Sequence, residues 1–445
     1  MDKISYQITL YISTFAIMAI IANISIADTL TAKESDPKVM EWMQGFPPAD
    51  DKLIMQPDAN YFSFPKLRWS VCHLREFLPT KVISRGLGAP IPLEYAPPAE
   101  FADLRQEIDA IEFMPMNSEQ PMTWEHSLYA NYTDGLLIIH KNKVVYERYF
   151  GCLEEDGKHA AMSMTKSITG LLAEILIAEN KLDETALVKE LIPEIGNSAF
   201  ANATVRQVMN MTTGVKYSEN YADPSADIWV YSAAASPLPK PDDYQGPNGY
   251  LEYLQQVQGE GKHGSEFHYK TINSDMLGWI VSRVAGKSVT QLSSELLWRS
   301  MGAEQDAYQT VDGKGVPFAG GGLTAGLRDL GRIGLLMLNE GQVNGKQLFS
   351  PQVVKKIRQG ADKNKFGDRF PTLKNASYKS QWWVLHNEHE AFAARGVHGQ
   401  TIYIDPTAEM VLVRFASYPK AQNGFIDPTS LPAYDAVAKY LMNHD

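Results

Sequence analysis

The chain has 445 residues, of which 44% are hydrophobic and 21% are charged, and its formal net charge is −11. This composition is typical of a globular protein with a substantial core, and the length allows two domains or one large composite domain. Nucleic-acid binding requires a basic face, and this acidic chain has no basic run, so we expect no nucleic-acid partner.

The first 27 residues have the features of a leader peptide. Lys3 is followed by an uncharged run over residues 4–27, which ends in the small-x-small pattern Ser25-Ile26-Ala27. We therefore predict that residues 1–27 are a signal peptide and that the protein is exported to the periplasm or secreted. A membrane would be a partner only if this segment stayed uncleaved.

The next segment, residues 28–122, is rich in proline and shows little periodicity. It is predicted as an N-terminal extension that wraps a larger body and has little regular structure. Cys72 lies in this segment and Cys152 follows later. One possible pair is not a disulfide scaffold in a chain of this length, so two separate buried thiols are expected.

Strand patterns occur at both ends of the remaining chain. Residues 135–140 and 144–150 are β-branched and aromatic runs around a polar turn, which predicts a hairpin, and similar runs return at 382–385, 401–404 and 410–415. Between them the pattern is mainly helical, with a long polar loop at 217–249. The order predicts an α+β fold, in which an antiparallel β-sheet flanked by helices carries an inserted helical domain. The sheet domain is assigned to residues 123–162 and 320–445, and the inserted domain to residues 163–319.

A nucleophile and a base lie together at the start of a helix predicted over residues 166–182. Ser163 and Lys166 are one helical turn apart, a spacing that puts their Cβ atoms roughly 5–6 Å from each other. A lysine whose pKa is lowered by burial can take the proton of a serine hydroxyl. Alone, Ser163 could equally be an N-cap that stabilises the helix by about 1 kcal/mol.

Two downstream motifs complete the pattern. Tyr269-x-Thr271-x-Asn273 precedes a predicted helix, and His398-Gly399-Gln400 leads into a predicted strand. With Ser163-x-x-Lys166, and in this order, they resemble the three motif regions of the serine β-lactamase and penicillin-binding-protein superfamily. The stretches 68–70, 211–215, 221–224, 320–334, 381–383 and 399–406 are similar, more narrowly, to the 6-aminohexanoate-dimer hydrolase branch.

The resemblance implies an acyl-enzyme mechanism that needs no metal or organic cofactor. Ser163 would attack a carbonyl, Lys166 would act as the general base, and Tyr269 would relay a proton to the leaving group. The backbone N–H of Ser163 and one from the strand after Gly399 would form the oxyanion hole. Tyr221 matches a substrate-contacting tyrosine of the nylon-oligomer hydrolases. The remaining substrate-binding candidates are Thr271, Asn273, His398, Gly399 and Gln400.

Departures from the family motifs narrow the expected substrate. The Tyr-x-Asn motif reads Tyr269-Lys270-Thr271, and the Lys-Thr-Gly motif reads Val397-His398-Gly399. In the family, the motif lysine helps to hold the carboxylate of β-lactams and stem peptides. This lysine is missing here, so small linear amides or esters are favoured as substrates. The alternatives are a D-alanyl-D-alanine carboxypeptidase, a β-lactamase, or a catalytically inactive fold that binds peptides or cell-wall fragments.

Two rival constellations are not favoured. His386-Asn387-Glu388-His389-Glu390 offers ligand types that bind divalent metals, but its polar setting is typical of a solvated turn, so no metal is predicted. A Ser-His-Asp hydrolase would place its serine in a Gly-x-Ser-x-Gly turn, whereas Ser163 lies in Met162-Ser163-Met164.

Overall fold

The computed structural model describes residues 29–55, 60–221 and 223–444. The predicted leader therefore lies outside the described residues. Within the described ranges, no helix has both the length and the apolar character that crossing a lipid bilayer requires.

An eight-stranded sheet forms the centre of the molecule. Its strands, in spatial order, are Ser377–Lys379, Trp382–Val384, Phe392–Gly396, Gln400–Asp405, Met410–Ala416, Thr133–His140, Lys143–Tyr149 and Glu94–Tyr95. Neighbouring strands are antiparallel except for the last pair, which is parallel. The hairpin joins the C-terminal strands where Ile138 pairs with Leu412. The predicted α+β fold, with one antiparallel sheet built from both halves of the chain, is confirmed.

A smaller sheet positions Ser163, the predicted nucleophile. Its strands, in spatial order, are Thr80–Ile83, Ala307–Thr310, Leu323–Ala325 and His159–Ala160. Two short hairpins, Glu112–Phe113 with Met122–Thr123 and Gln342–Val343 with Lys346–Gln347, lie elsewhere. The strand His159–Ala160 ends three residues before Ser163, so the smaller sheet determines where Ser163 enters its helix.

Helices cover the sheets and fill the segment between the two strand regions. The longer ones are Pro98–Ala110, Met164–Ala178, Asp227–Ala235, Ile272–Ala285, Leu327–Leu338, Pro351–Arg358 and Asp427–Asn443. The shorter ones are Leu67–Ser70, Leu74–Phe77, Trp124–Ala130, Val188–Leu191, Val205–Met209, Tyr250–Gln255, Val289–Leu292 and Lys363–Phe366. The helix that follows Ser163 is buried at Leu171, Leu172 and Ile175, which share one apolar core with Met276 and Ile280. Each such side chain contributes about 1.5–3 kcal/mol when it is fully buried.

The N-terminal extension has more regular structure than its sequence indicates. The helix Pro98–Ala110 and the strand Thr80–Ile83 both lie in the segment predicted to be irregular. The proline suits the first turn of a helix, where no N–H partner is needed. The strand forms only because it pairs with Ala307–Thr310, more than 200 residues away, which local periodicity does not reveal.

The prediction of two separate thiols is wrong, because Cys72 and Cys152 form a disulfide across 80 residues of sequence. They meet because the extension packs against the body beside the nucleophile: the Ala160 N–H donates to the Val71 carbonyl at 2.8 Å. A buried ion pair between Arg68 of this segment and Asp134 of the strand Thr133–His140 joins the extension to the central sheet. The extension is therefore held covalently and by backbone contacts.

Candidate active site

A sharp turn brings the chain from the smaller sheet into the nucleophile helix. Met162 has a φ of 48°, a left-handed conformation that residues other than glycine rarely adopt, while Ser163 has a φ of −67° and begins the first helical turn. Ser163 is half-buried, and the helix Met164–Ala178 follows it directly. The turn thus places the hydroxyl one helical turn before Lys166.

Lys166 is within reach of the serine and is shielded from water. Its Nζ lies 3.0 Å from Ser163 Oγ, and it also donates a hydrogen bond to the Gly320 carbonyl. Burial lowers the pKa of Lys166 from 10.5 to about 8, although the carboxylates of Glu219 and Asp275 act in the opposite direction. A neutral amine is therefore accessible near neutral pH, and it can accept the serine proton.

Tyr269 lies beside both residues. The Lys166 Nζ is 5.2 Å from the centroid of the Tyr269 ring, which stacks on Trp383 at a centroid distance of 5.5 Å. Burial and the nearby Glu219 carboxylate raise the pKa of Tyr269, and a hydrogen bond with Ser163 opposes them. The phenol therefore stays protonated at neutral pH, so it carries a proton that it can donate and does not act as a base.

Glu219 forms hydrogen bonds with two predicted substrate-binding residues. The sequence analysis did not single out this glutamate. Its carboxylate accepts hydrogen bonds from the Thr271 N–H at 2.8 Å, the Thr271 hydroxyl at 2.7 Å and the Tyr221 hydroxyl at 2.7 Å. The only sequence signal for it was its place in the long polar loop predicted at 217–249. The structure thus brings Tyr221 and Thr271 together around one carboxylate, beside Tyr269.

Asn273 and Gln400 are used inside the fold. Asn273 is fully buried, accepts a hydrogen bond from the Thr213 hydroxyl at 2.6 Å and donates one to the Lys270 carbonyl at 3.1 Å. The Gln400 amide bonds the N–H and the carbonyl of Ala416 at 3.0 and 2.6 Å. These contacts hold the Tyr269 segment and the sheet, and a role of either amide in substrate binding stays a prediction.

His398 and Gly399 form the turn between the strands Phe392–Gly396 and Gln400–Asp405. His398 is buried with a φ of 63°, and its Nδ1 lies 2.7 Å from the Tyr418 carbonyl. Burial lowers the pKa of His398 to about 4, so the imidazole is neutral at pH 7. Gly399 has a φ of 100°, and a Cβ there would meet Ala416 at 3.0 Å. Both residues shape the turn.

The glycine that approaches the nucleophile is Gly396. A Cβ at this position would lie 3.0 Å from Ser163 N and 2.8 Å from the carbonyl oxygen of Ala161. The peptide that follows it, with the N–H of Val397, is therefore the part of the strand next to Ser163. Sequence reasoning placed this contact after Gly399, three residues further along the same Gly-Val-His-Gly segment.

A second acidic residue that the sequence analysis missed, Asp275, is linked to Lys166 through Gly320. Asp275 is buried in the helix Ile272–Ala285 and accepts a hydrogen bond from the Gly320 N–H at 3.2 Å. The carbonyl of that same glycine accepts the hydrogen bond from Lys166. Its position, six residues after Tyr269, carried no signal in the motif pattern.

The rival constellation at residues 386–390 is occupied by other interactions. Glu388, His389 and Asp435 approach one another within 4.8 Å. However, the Lys439 ammonium lies 2.8 Å from Asp435 and 3.4 Å from Glu388, so it compensates both carboxylates. The cluster has the contacts of a surface ion-pair network.

The sequence profile of the beta-lactamase family matches residues 128–431, more than half of the chain. The chain belongs to the beta-lactamase family. This family member is 32% identical to the 6-aminohexanoate-dimer hydrolase of Paenarthrobacter ureafaciens over 357 residues. The aligned region covers 80% of this chain and 86% of the relative. A solved structure from Bacillus anthracis, provisionally named a 6-aminohexanoate-dimer hydrolase, matches with a TM-score of 0.78 at 30% identity and covers 89% of this chain and 99% of the other.

A more distant relative of this beta-lactamase-family protein is an Escherichia coli K12 protein provisionally named a D-alanyl-D-alanine carboxypeptidase. It is 22% identical over 345 residues, covering 64% of this chain and 78% of that one. The predicted relationship is confirmed, and the protein is a hydrolase of the serine amidase and esterase type.

Proposed function

We propose that this protein hydrolyses small linear amides or esters through an acyl-serine intermediate. Ser163 is the nucleophile, Lys166 is the general base, and Tyr269 is the proton donor to the leaving group. The observation that carries the proposal is the 3.0 Å distance from Lys166 Nζ to Ser163 Oγ, together with the burial that lowers the pKa of this amine to about 8.

Each proton has a defined place in this reaction. Lys166 takes the proton of the Ser163 hydroxyl as Oγ bonds to the substrate carbonyl carbon. The Tyr269 phenol gives its proton to the leaving nitrogen or oxygen and regains one from the Lys166 ammonium. Water then attacks the acyl-serine and gives a proton to Lys166, and the Lys166 ammonium passes this proton to Ser163 Oγ as the carboxylic acid departs.

The oxyanion of both tetrahedral intermediates requires donors on one side of the carbonyl. The Ser163 N–H is one of them, and we assign the second to the Val397 N–H, because Gly396 brings this peptide against Ser163. Fixed backbone donors of this kind are worth about 10²–10³-fold in kcat.

The preference for linear substrates rests on the strand motif. The position of the family lysine holds Val397, which carries no charge, and the next residue, His398, is buried and neutral and bonds to the Tyr418 carbonyl. The neighbouring cation, Arg395, is paired with Asp427. A substrate carboxylate, as in β-lactams and D-alanyl-D-alanine peptides, therefore gains no free cation from this strand. The relative named 6-aminohexanoate-dimer hydrolase favours the same conclusion.

A substrate panel with a serine-directed probe tests the proposal. The panel contains p-nitrophenyl esters, short linear amides, a chromogenic cephalosporin and a D-alanyl-D-alanine peptide. We expect turnover of the esters or linear amides, and fluorophosphonate labelling of the wild type that is lost in Ser163→Ala. Turnover confined to the last two substrates would favour the lactamase or carboxypeptidase alternative. Absence of labelling in the folded wild type would favour an inactive binding protein.

We also propose that the protein is exported and acts in the periplasm or outside the cell. The leader pattern at residues 1–27 supports this, and so does the Cys72–Cys152 disulfide, because disulfides persist mainly in oxidising compartments. Fractionation of cells that express the full chain tests it. Protein found only in the cytoplasm, with both thiols free, would contradict the proposal.

A further inference from the structure

We propose that Asp275 is a positioning residue that controls the orientation and the proton affinity of Lys166 through the backbone of Gly320. The inference rests on the proposed function, because it takes Lys166 to be the general base. It adds a residue that lies outside the three motifs and that has no place in the proton transfers above.

One residue, Gly320, connects the carboxylate to the amine. Asp275 Oδ1 accepts the Gly320 N–H at 3.2 Å, and the carbonyl of Gly320 accepts the hydrogen bond from Lys166 Nζ. The Ala319 carbonyl accepts from the Thr169 hydroxyl, one turn after Lys166, at 3.1 Å. The carboxylate thus holds the glycine turn, and the turn holds the amine.

The side chains of Thr271 and Asp275 pack closely against Gly320. A Cβ on Gly320 would come 2.6 Å from Thr271 Cγ2 and 3.0 Å from Asp275 Oδ2. On its other side, Asp275 Oδ2 accepts a hydrogen bond from the Tyr231 hydroxyl, which comes from the helix Asp227–Ala235 of the long loop. Three elements, the nucleophile helix, the glycine turn and the loop, therefore meet at one buried carboxylate.

The charges of the two buried groups support each other. Burial raises the pKa of Asp275 to about 7, and the Tyr231 hydrogen bond and the charge of Lys166 act against this rise. In turn, the Asp275 carboxylate raises the pKa of Lys166 and limits the effect of burial. Asp275 thereby stabilises the ammonium that forms when Lys166 takes the serine proton.

Other titratable groups also interact with Lys166 or Asp275 and affect their pKa values. Glu219 acts on Lys166 from the loop, and the phenols of Tyr217, Tyr231 and Tyr250 interact with Asp275. A cavity of about 440 Å³ adjoins Asp275 and is also lined by Lys81, Lys287 and Lys314. Lys287 and Lys314 are paired with Glu295 and Glu252. Asp275 is the carboxylate that is linked to Lys166 through the backbone of a single residue, Gly320.

The test is the pH dependence of kcat and kcat/KM in Asp275→Asn, with the best substrate of the panel. The variant keeps the shape of the side chain and removes its charge. We expect the acid limb to move to lower pH by about half a unit or more, because the pKa of Lys166 falls without the carboxylate. We also expect kcat to drop by roughly 10-fold with little change in KM, the pattern of a lost transition-state interaction.

Asp329→Asn is the matched control. Asp329 is also buried, also lies in the first turn of a helix, and also accepts two hydrogen bonds, in its case from the N–H groups of Glu304 and Gln305 at 2.8 and 3.0 Å. We expect this variant to lose stability without any shift of the acid limb. An equal shift in both variants would overturn the inference, because it would show a general effect of weakened packing.

A second variant decides the matter if Asp275→Asn does not fold. Tyr231→Phe removes one hydrogen bond to the carboxylate, so the pKa of Asp275 rises and its charge is lost over a wider pH range. The acid limb should then move in the same direction by a smaller amount. If the acid limb of a folded, active variant does not move, the inference about Asp275 is overturned and the proposed function is not affected. Failure of the wild type to label, or full turnover by Lys166→Ala, would instead overturn the proposed function.

Discussion

Gly396 lies directly against the backbone of Ser163. A side chain at position 396 would place its Cβ 3.0 Å from Ser163 N and 2.8 Å from the carbonyl oxygen of Ala161. Neither neighbour is the flexible end of a side chain, so the strand and the first turn of the nucleophile helix would have to separate. This contact sets the spacing between the two backbone N–H groups that we assign to the oxyanion hole.

Gly396→Ala should therefore lower kcat by roughly 10²-fold with a small effect on KM, since the donors would no longer converge on one oxygen. Steady-state kinetics with a p-nitrophenyl ester measure both constants. Gly424→Ala is the control, because a Cβ at that position meets no atom within 4 Å. A Gly396→Ala protein with the kcat of the wild type would exclude the assignment of this strand.

Lys166→Ala should lower kcat by at least about 10²-fold, the scale expected when a general base is removed. The variant also loses the hydrogen bond to Gly320, so its thermal unfolding must be compared with that of the wild type. Stopped-flow acylation with a chromogenic ester measures the affected step. Near-normal acylation in a folded variant would mean that another group takes the serine proton.

The pH–rate profile should have its acid limb near pH 8. Below this value Lys166 is protonated and cannot accept a proton, so kcat/KM should rise with pH through about 8 and level off above it. A substrate that does not ionise in this range is required. A limb near the ordinary lysine pKa of about 10.4 would show that burial does not tune this amine.

Removal of the disulfide should destabilise the protein by roughly 2–4 kcal/mol. Cys72 and Cys152 close a loop of 80 residues, whose freedom in the unfolded chain is restored when the bond is lost. Denaturant unfolding of Cys72→Ser/Cys152→Ser, and of the wild type with and without reductant, measures the loss. Reductant should leave the double variant unchanged; an equal effect on both proteins would rule out the disulfide as its source.

His398→Asn should make the protein less sensitive to acid. The pKa of His398 in the folded state, about 4, lies below its ordinary value of 6.5, so the folded state favours the neutral imidazole. Its contribution to stability is complete above pH 6.5 and is lost as the pH falls toward 4, by about 3 kcal/mol. Asparagine tolerates the positive φ at this position. Unfolding free energies at pH 7 and pH 4.5 should differ less in the variant, and an equal difference would refute this assignment.

Elements with strong local patterns were predicted from the sequence with small errors. The hairpin expected at 135–150 spans the strands Thr133–His140 and Lys143–Tyr149, and the helix expected at 166–182 spans Met164–Ala178. The strand Phe392–Gly396 was missed, although it carries the glycine beside Ser163. Its alternation is obscured because both faces are buried, and burial on both sides removes the period of two.

The sequence by itself determined the pairing of Ser163 with Lys166, because helical geometry joins residues three apart wherever the helix lies. Only the tertiary structure decided which glycine of Gly-Val-His-Gly meets the nucleophile, which acids face the lysine, and that the cysteines pair. Asp275 and Gly320 are 45 residues apart and the cysteines are 80 apart. Such contacts depend on strand register and on the packing of distant elements, and local periodicity contains no information about either.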